Sequence, residues 1–322
     1  MKAMQLTAVG GPANLKLTEI PEPTLAENEV LIKVECAGVN FADVNACHGR
    51  YPLPPLPAVI GFEAAGTVTR LGAGVRSVRQ GERVVAFVKG AYAEQAVASE
   101  SLVYPLPPGF SWDDAAATLV VFQTAYHAMR TAGRLQTGET LLVHAAAGGV
   151  GTAALQLAKA WGVRALGTAS SPAKLDLVRS LGAEAAINYA TTDFVAAVRD
   201  ATAGRGADVV LESVGGEVFT KSLDALAPEG RIVVYGNSSG TPTALEPRKL
   251  QALNQSVAGF SVARMRAAQP ERLQASYREL AKLFEAKQAR PIIGRTFPLA
   301  EAGAALNYLA SRQSTGKVLL KP

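Results

Sequence analysis

Cysteine is nearly absent from this chain. Two residues, Cys36 and Cys47, stand among 322, with no cluster of four closely spaced thiols, which excludes both a disulfide framework and a structural zinc held by four cysteines. Both cysteines read as reduced core thiols. Histidine is equally scarce, with three residues, and only His48 lies beside a cysteine, so no metal-ligating group is legible. No run of about 18 uncharged apolar residues occurs, which gives no membrane span, and the start MKAMQLTAVGG lacks the apolar stretch of a secretory signal. A cytoplasmic address is expected. The basic excess, 32 − 27 = 5, is scattered rather than gathered in blocks, so anionic small ligands are favoured and nucleic acid is not. Internal repeats and low-complexity tracts are missing as well.

What remains is a chain with 48% apolar and 18% charged residues, rich enough in apolar side chains to bury a core and long enough for two, since a domain usually takes roughly 100 to 200 residues. Up to about residue 115 short apolar runs such as Val30 to Val34 and Gly81 to Phe87 alternate with Pro and Gly clusters, including the segment Tyr51 to Pro57. That spacing predicts an all-β, barrel-like unit. From about residue 119 the rhythm becomes strand and helix in turn. Strands are expected at 140–144, 164–169, 185–189, 207–213 and 231–235, with helices at 150–161, 172–181, 193–202 and 219–226. This is the βαβ alternation of a doubly wound parallel sheet. After residue 260 come a long amphipathic helix at 271–287, a segment 291–297, a helix 299–311 and a closing strand 317–320, a tail expected to return to the first domain. The organisation is therefore α/β: 1–118 with 262–322 as one domain and 119–261 inserted as a Rossmann domain, leaving a cleft suited to ligands.

The sharpest motif is His144-Ala-Ala-Ala-Gly148-Gly149-Val150-Gly151, between an apolar strand and a helix. Gly148 permits backbone to approach a pyrophosphate, Gly151 permits tight packing of helix on strand, and the helix start offers unpaired N–H groups. Ala146 stands where the usual pattern has its first glycine. About 20 residues on, an acid would hold the ribose 2′-hydroxyl of NAD. Here the second strand runs into Ser170-Ser171-Pro172-Ala173-Lys174 with no carboxylate. Ser170, Lys174 and Tyr189 can instead donate to a 2′-phosphate, so NADPH is preferred, the alternative for Lys174 being a solvated helix residue.

Gly38-Val-Asn40-Phe-Ala-Asp43, Gly49-Arg-Tyr51-Pro52, Ile60-Gly61-Phe62-Glu63-Ala-Ala-Gly66, Thr124-Ala-Tyr126, Ile187-Asn-Tyr189 and Tyr235-Gly236-Asn237-Ser-Ser-Gly240, together with the glycine loop, resemble the quinone oxidoreductases of the medium-chain dehydrogenase/reductase superfamily across nearly the whole chain. The resemblance implies a GroES-like β-barrel catalytic domain beside the Rossmann domain. It places Asn40 and Thr124 near the nicotinamide, Ala147, Gly148, Gly149 and Val150 on the pyrophosphate, and Ser170, Lys174, Tyr189 and Arg312 around the 2′-phosphate and adenine. Ser213, Val214, Tyr235, Gly236, Asn237, Phe260 and Lys317 complete the expected cofactor contacts. Asn40 also reads as a turn residue, and Arg312 and Lys317 also read as surface charges. Where the related zinc alcohol dehydrogenases hold their catalytic metal, this chain has Asn40 and Phe62, neither of which supplies the required ligand.

Without that Lewis acid, hydride delivery to an electron-poor acceptor is expected, a quinone or an enone, without flavin. Tyr51 is the candidate proton donor or a pocket wall, Asn40 a catalytic-site partner, and Asp43 an orienting group or a helix cap. The alternatives are a 2-enoyl thioester reductase and, of another class, a non-catalytic NADPH-binding structural or RNA-binding protein. The resemblance also implies a homodimer joined through the strand 231–235 or the strand 256–262.

Overall fold

The computed structural model describes all 322 residues, which form two compact units. The first comprises Met1–Val120, Met265–Glu285 and Pro291–Pro322; the second comprises Val121–Arg264 and Ala286–Arg290.

In the first unit eight strands precede residue 120: β1 (Lys2–Leu6), β2 (Leu15–Glu19), β3 (Glu29–Val39), β4 (Ala58–Val59), β5 (Glu63–Leu71), β6 (Arg83–Phe87), β7 (Gln95–Ser99) and β8 (Val103–Pro105). Two more, β15 (Ile293–Pro298) and β16 (Lys317–Lys321), come from the tail. They assemble as a small sheet β2-β1-β4 and a seven-stranded sheet β15-β16-β3-β5-β6-β8, with β7 paired to β3. The long β3 is buried along most of its length. Its Val30, Ile32, Val34 and Val39 meet Val68 and Val84 from neighbouring strands and Ala302, Ala305 and Leu306 from the helix Ala302–Ala310. Because β16 pairs antiparallel with β3 through Val318, Leu319 and Leu320, the last residues of the chain lie beside the segment that leads into Asn40. That pairing carries Lys317 to the site described below.

The second unit is a six-stranded parallel sheet in the order β11-β10-β9-β12-β13-β14. The strands are β9 (Thr140–Val143), β10 (Arg164–Ala169), β11 (Ala185–Asn188), β12 (Ala207–Glu212), β13 (Leu226–Val234) and β14 (Ser256–Gly259). Every residue of β9 and β12 is buried, as a sheet covered by helices on both faces requires. One face packs Leu142, Leu166, Val210 and Ile232 against Phe194, Val198, Phe219 and Leu223. All six strands run in one direction, so their carboxyl ends share an edge, where the loops carrying ligand contacts emerge.

Three sequence expectations are corrected here. The helix expected from Phe219 begins at Gly216, because Gly215 and Gly216, both at positive φ, turn the chain directly into it. A helix at Val262–Ala268 was missed; its run of Ala, Arg and Met is a helix-forming composition, with Pro270 beginning the next helix two residues on. The strand 231–235 offers no edge for a partner, since β13 is bonded on both sides, to β12 and to β14. Of the two candidate strands only β14 is an edge, β11 being the other edge of the sheet. The tail also returns in part to the second unit: Gln156 accepts from the Arg290 N–H at 2.8 Å and donates to its carbonyl at 3.0 Å.

Candidate active site

The loop after β9 is built by close backbone contact. Ala145 takes a left-handed φ of 49°, Ala146 N–H donates to the Thr168 carbonyl of β10, and Gly148 N–H donates to the Ala145 carbonyl at 2.9 Å. The helix Gly149–Ala160 starts at once, so its first N–H groups and the positive end of its dipole stand at the loop. A Cβ on Gly151 would lie 2.6 Å from the carbonyl of Ala145 and from the Cα and carbonyl of Ala146, which leaves no other residue possible without moving the loop. Ala146, in place of the usual first glycine, is accommodated from the opposite side. A Cβ on Gly167 of β10 would come within 2.9 Å of the Ala146 methyl, so Gly167 supplies the space that Ala146 takes up.

Beneath the loop, His144 is pinned at both ring nitrogens, by Thr168 Oγ1 at 3.1 Å and Ser222 Oγ at 2.9 Å. Ser222 spends its only proton on the Val218 carbonyl, so it accepts from Nε2–H, and Nδ1 accepts from Thr168. The ring is neutral: burial pushes its pKa down to about 4. An unfolded histidine ionises near 6.5, so between about 6.5 and 4 the unfolded chain takes up a proton that native His144 refuses. Stability contributed at pH 7 is lost as the pH falls through that window, by up to about 3 kcal/mol. Melting temperatures from pH 7 to 5 should therefore fall more steeply for the wild type than for His144→Gln.

Along the carboxyl edge of the sheet, Ser170, Lys174 and Tyr189 follow β10 and β11; Tyr189 is exposed and Lys174 half-buried. The loops after β12 and β13 are knitted together. Ser238 N–H donates to the Ser213 carbonyl, and Ser239 N–H donates to that of Val214, each at 2.8 Å. Asn237 accepts from Ser239 Oγ and Gly240 N–H, and the Tyr235 hydroxyl pairs with Ser213 while burial pushes its pKa up to about 12. Sequence reasoning overlooked Glu212, fully buried at the end of β12, whose carboxylate accepts from Val214 N–H at 2.6 Å and Gly215 N–H at 3.0 Å. An acid ending an apolar strand before Ser213-Val-Gly-Gly was the available signal. Thr124 is buried on the helix Leu119–His127, and Phe260 stacks on His127 at 6.1 Å.

In the first unit, Asn40, Asp43, Glu63, Tyr92 and Lys317 form one buried polar cluster. Lys317 Nζ donates to Asn40 Oδ1 and to Glu63 Oε1, each at 2.5 Å. Asn40 Nδ2 donates to Glu63 Oε1 at 3.0 Å and to the Gly38 carbonyl, and Glu63 Oε2 accepts from Val120 N–H at 2.9 Å. Asp43 Oδ2 accepts from Asn40 N–H at 2.7 Å and from the Tyr92 hydroxyl at 2.9 Å. Asp43 thus both caps the helix Phe41–Cys47 and orients its neighbours, and desolvation holds its pKa up at about 7. Two expectations change. Lys317 is 3% exposed, so it is not a surface charge: its ammonium donates to Glu63 and Asn40. Asn40 has both amide protons and its backbone N–H committed within the cluster, so it has only oxygen lone pairs to offer a ligand. Arg312, exposed at a φ of 60°, and Tyr51, half-buried with its ring edge-on to Phe62 at 5.6 Å, belong to the same unit.

The family model for the alcohol dehydrogenase GroES-like domain matches residues 26–108, and the one for zinc-binding dehydrogenase matches residues 149–285. A quinone oxidoreductase of Pseudomonas aeruginosa is 38% identical over 323 residues, covering 100% of this chain and 99% of that protein. The chain belongs to the quinone oxidoreductase family of the medium-chain dehydrogenase/reductases. The crystal structure of Escherichia coli quinone oxidoreductase complexed with NADPH superposes with a TM-score of 0.94 at 33% identity, covering the whole of both chains. A pikromycin polyketide synthase component of Streptomyces venezuelae is 39% identical over 317 residues, 98% of this chain but 8% of that protein. The zinc ion named in one family description does not fit this quinone oxidoreductase-family chain. The Asn40 and Glu63 oxygens already hold an ammonium, and no group of three or more His, Cys, Asp or Glu side chains comes together. No helix is long and apolar enough to cross a membrane.

Proposed function

We propose that this protein is an NADPH-dependent quinone reductase acting on a small-molecule acceptor without zinc. The observation that carries the reading is the built loop Ala145–Gly151 beside a strand that runs out into Ser170 with no carboxylate. The helix start packs against the loop backbone only because Gly151 has no side chain, which aims its N–H groups at the place of a pyrophosphate, and the strand end suits a 2′-phosphate rather than a free 2′-hydroxyl. Ala147, Gly148, Gly149 and Val150 would hold the pyrophosphate, with Ser170, Lys174, Tyr189 and Arg312 at the 2′-phosphate and adenine. Thr124, Ser213, Val214, Tyr235, Gly236, Asn237, Phe260 and Asn40 would serve the rest of the cofactor. When bound, NADPH supplies a hydride from its nicotinamide.

The chain's own groups hold what the acceptor then needs. The Tyr51 phenol carries a proton beside Phe62, and the Lys317–Glu63 pair fixes Asn40 in one orientation. The free edge of β14 supports assembly of two copies in the cytoplasm, which sedimentation would test. For the activity itself, NADPH oxidation against 1,4-benzoquinone, larger quinones, enones and crotonyl thioester is expected to be fastest with quinones. NADH should serve at least about tenfold less well, and a chelator should change nothing. The match to a polyketide synthase component favours an enoyl thioester reductase as the second reading. Turnover confined to the thioester would establish it instead.

A further inference from the structure

The partly buried arginines of this protein are mostly paired. Arg164 meets Glu184, Arg231 meets Glu139, and Arg199 donates to the backbone carbonyls of Gly204 and Asp224. Arg266, on the helix Val262–Ala268, is different. Its guanidinium makes no hydrogen bond or ion pair to the protein. It lies 5.5 Å from the ring centre of Phe62 and 5.7 Å from that of Phe87, and its one favourable electrostatic neighbour is Tyr51. Burial pushes its pKa down, which is the mark of a cation kept partly from water without an anion to compensate it. Ring faces offset part of that cost, and they leave the planar fork of N–H donors unspent. None of those nitrogens is sealed in, since the buried unpartnered polar atoms lie on other residues.

The place matters. Phe62 directly precedes Glu63 of the Asn40–Glu63–Lys317 cluster, and Phe87 is the cross-strand partner of Glu63. A flat ligand lying against the half-buried Tyr51 and Phe62 would bring its oxygen to Arg266, which the buried Phe87 backs from the core side. Two-electron reduction of a quinone by one hydride, before any further proton arrives, leaves a hydroquinone monoanion: the acceptor gains two electrons and one proton, and one oxygen carries the negative charge.

We propose that Arg266, framed by Tyr51, Phe62 and Phe87, is the acceptor-site cation that binds the aromatic oxyanion formed by reduction. The inference rests on the quinone-reductase reading and adds a specificity residue to it. A guanidinium fork aimed at a developing oxyanion strengthens its grip as charge appears, which is the condition for lowering a barrier rather than only binding substrate. It also selects planar acceptors that become anions at oxygen.

The test uses 4-nitrophenol as a probe whose ionisation is visible, with NADPH present, on the wild type, Arg266→Met and Arg266→Lys. Bound 4-nitrophenol is expected to ionise about one pH unit lower on the wild type than on Arg266→Met, with Arg266→Lys between. In parallel, kcat/KM for 1,4-benzoquinone should fall about 10- to 100-fold in Arg266→Met and recover in part in Arg266→Lys, while NADPH affinity stays within about twofold. Equal ionisation of the probe on wild type and Arg266→Met overturns the proposal, whatever the turnover. Quinone turnover with an unaffected Arg266→Met would sink this inference and leave the quinone-reductase reading intact. An Arg266-dependent shift without quinone turnover would retain the oxyanion site and remove that reading.

Discussion

Lys317→Met is expected to destabilise the first unit by about 3–5 kcal/mol, more than any other single substitution discussed for this protein. Glu63 is fully buried and Lys317 is 3% exposed, so removing the ammonium strands a carboxylate in the interior with only the Asn40 amide and the Val120 N–H as donors. The loss comes from the uncompensated charge rather than from the intrinsic worth of the pair, and the two causes are separable. Glu63→Gln combined with Lys317→Met removes both charges and should recover most of the stability, because a buried ion pair replaced by neutral groups of similar size is often neutral in free energy. Urea unfolding of the two single variants and the double variant measures the coupling. Additive losses would mean that the pair is not a unit. Quinone reduction gives a second readout: the double variant should stay impaired, since Asn40 Oδ1 no longer has the cation that sets its orientation.

Gly151→Val should abolish NADPH binding, raising Kd by about 100-fold or more, while leaving the sheet folded. The contact distances leave no room for even one methyl group against the Ala145 and Ala146 backbone, so the loop or the helix start must move, and a displaced helix start no longer presents its N–H groups and dipole to a pyrophosphate. Titration of NADPH fluorescence measures the loss. The comparison is Gly148→Ala, whose added Cβ would meet only the Ala145 carbonyl, at 3.2 Å, and which should bind several-fold more tightly than Gly151→Val. Equal affinity of Gly151→Val and the wild type would show that the loop does not hold the cofactor.

Much of the second unit was legible because its signals are local. The strands β9, β10 and β12 are short apolar runs bounded by Gly and Ser, and the glycine loop sits where a strand hands over to a helix, so period and punctuation sufficed. The first unit was legible as a class but not in its pairing. Nothing near Lys317 in sequence announces that β16 will add to β3 and bring that lysine to Asn40, 277 residues away. A lysine in a basic chain therefore reads as a surface charge. Arg266 was hidden for a similar reason, since its ring partners Phe62 and Phe87 come from distant segments and its own helix went unread.

The reading of Asn40 and Phe62 at metal-ligand positions came from the family resemblance, whereas residue order alone was enough for the two-domain α/β architecture, the glycine loop between a strand and a helix and the absence of an acid after β10. These depend on residue type at fixed spacing along one or two adjoining elements. Folding in three dimensions was needed to show that a buried ammonium holds Glu63 and Asn40, that Glu212 and His144 brace the loops at the carboxyl ends of the strands, and that β14 is an open edge where β13 is not. Each of those rests on burial and on contacts between segments far apart in the chain, where the energy of a charge or a hydrogen bond depends on what water has been removed from around it.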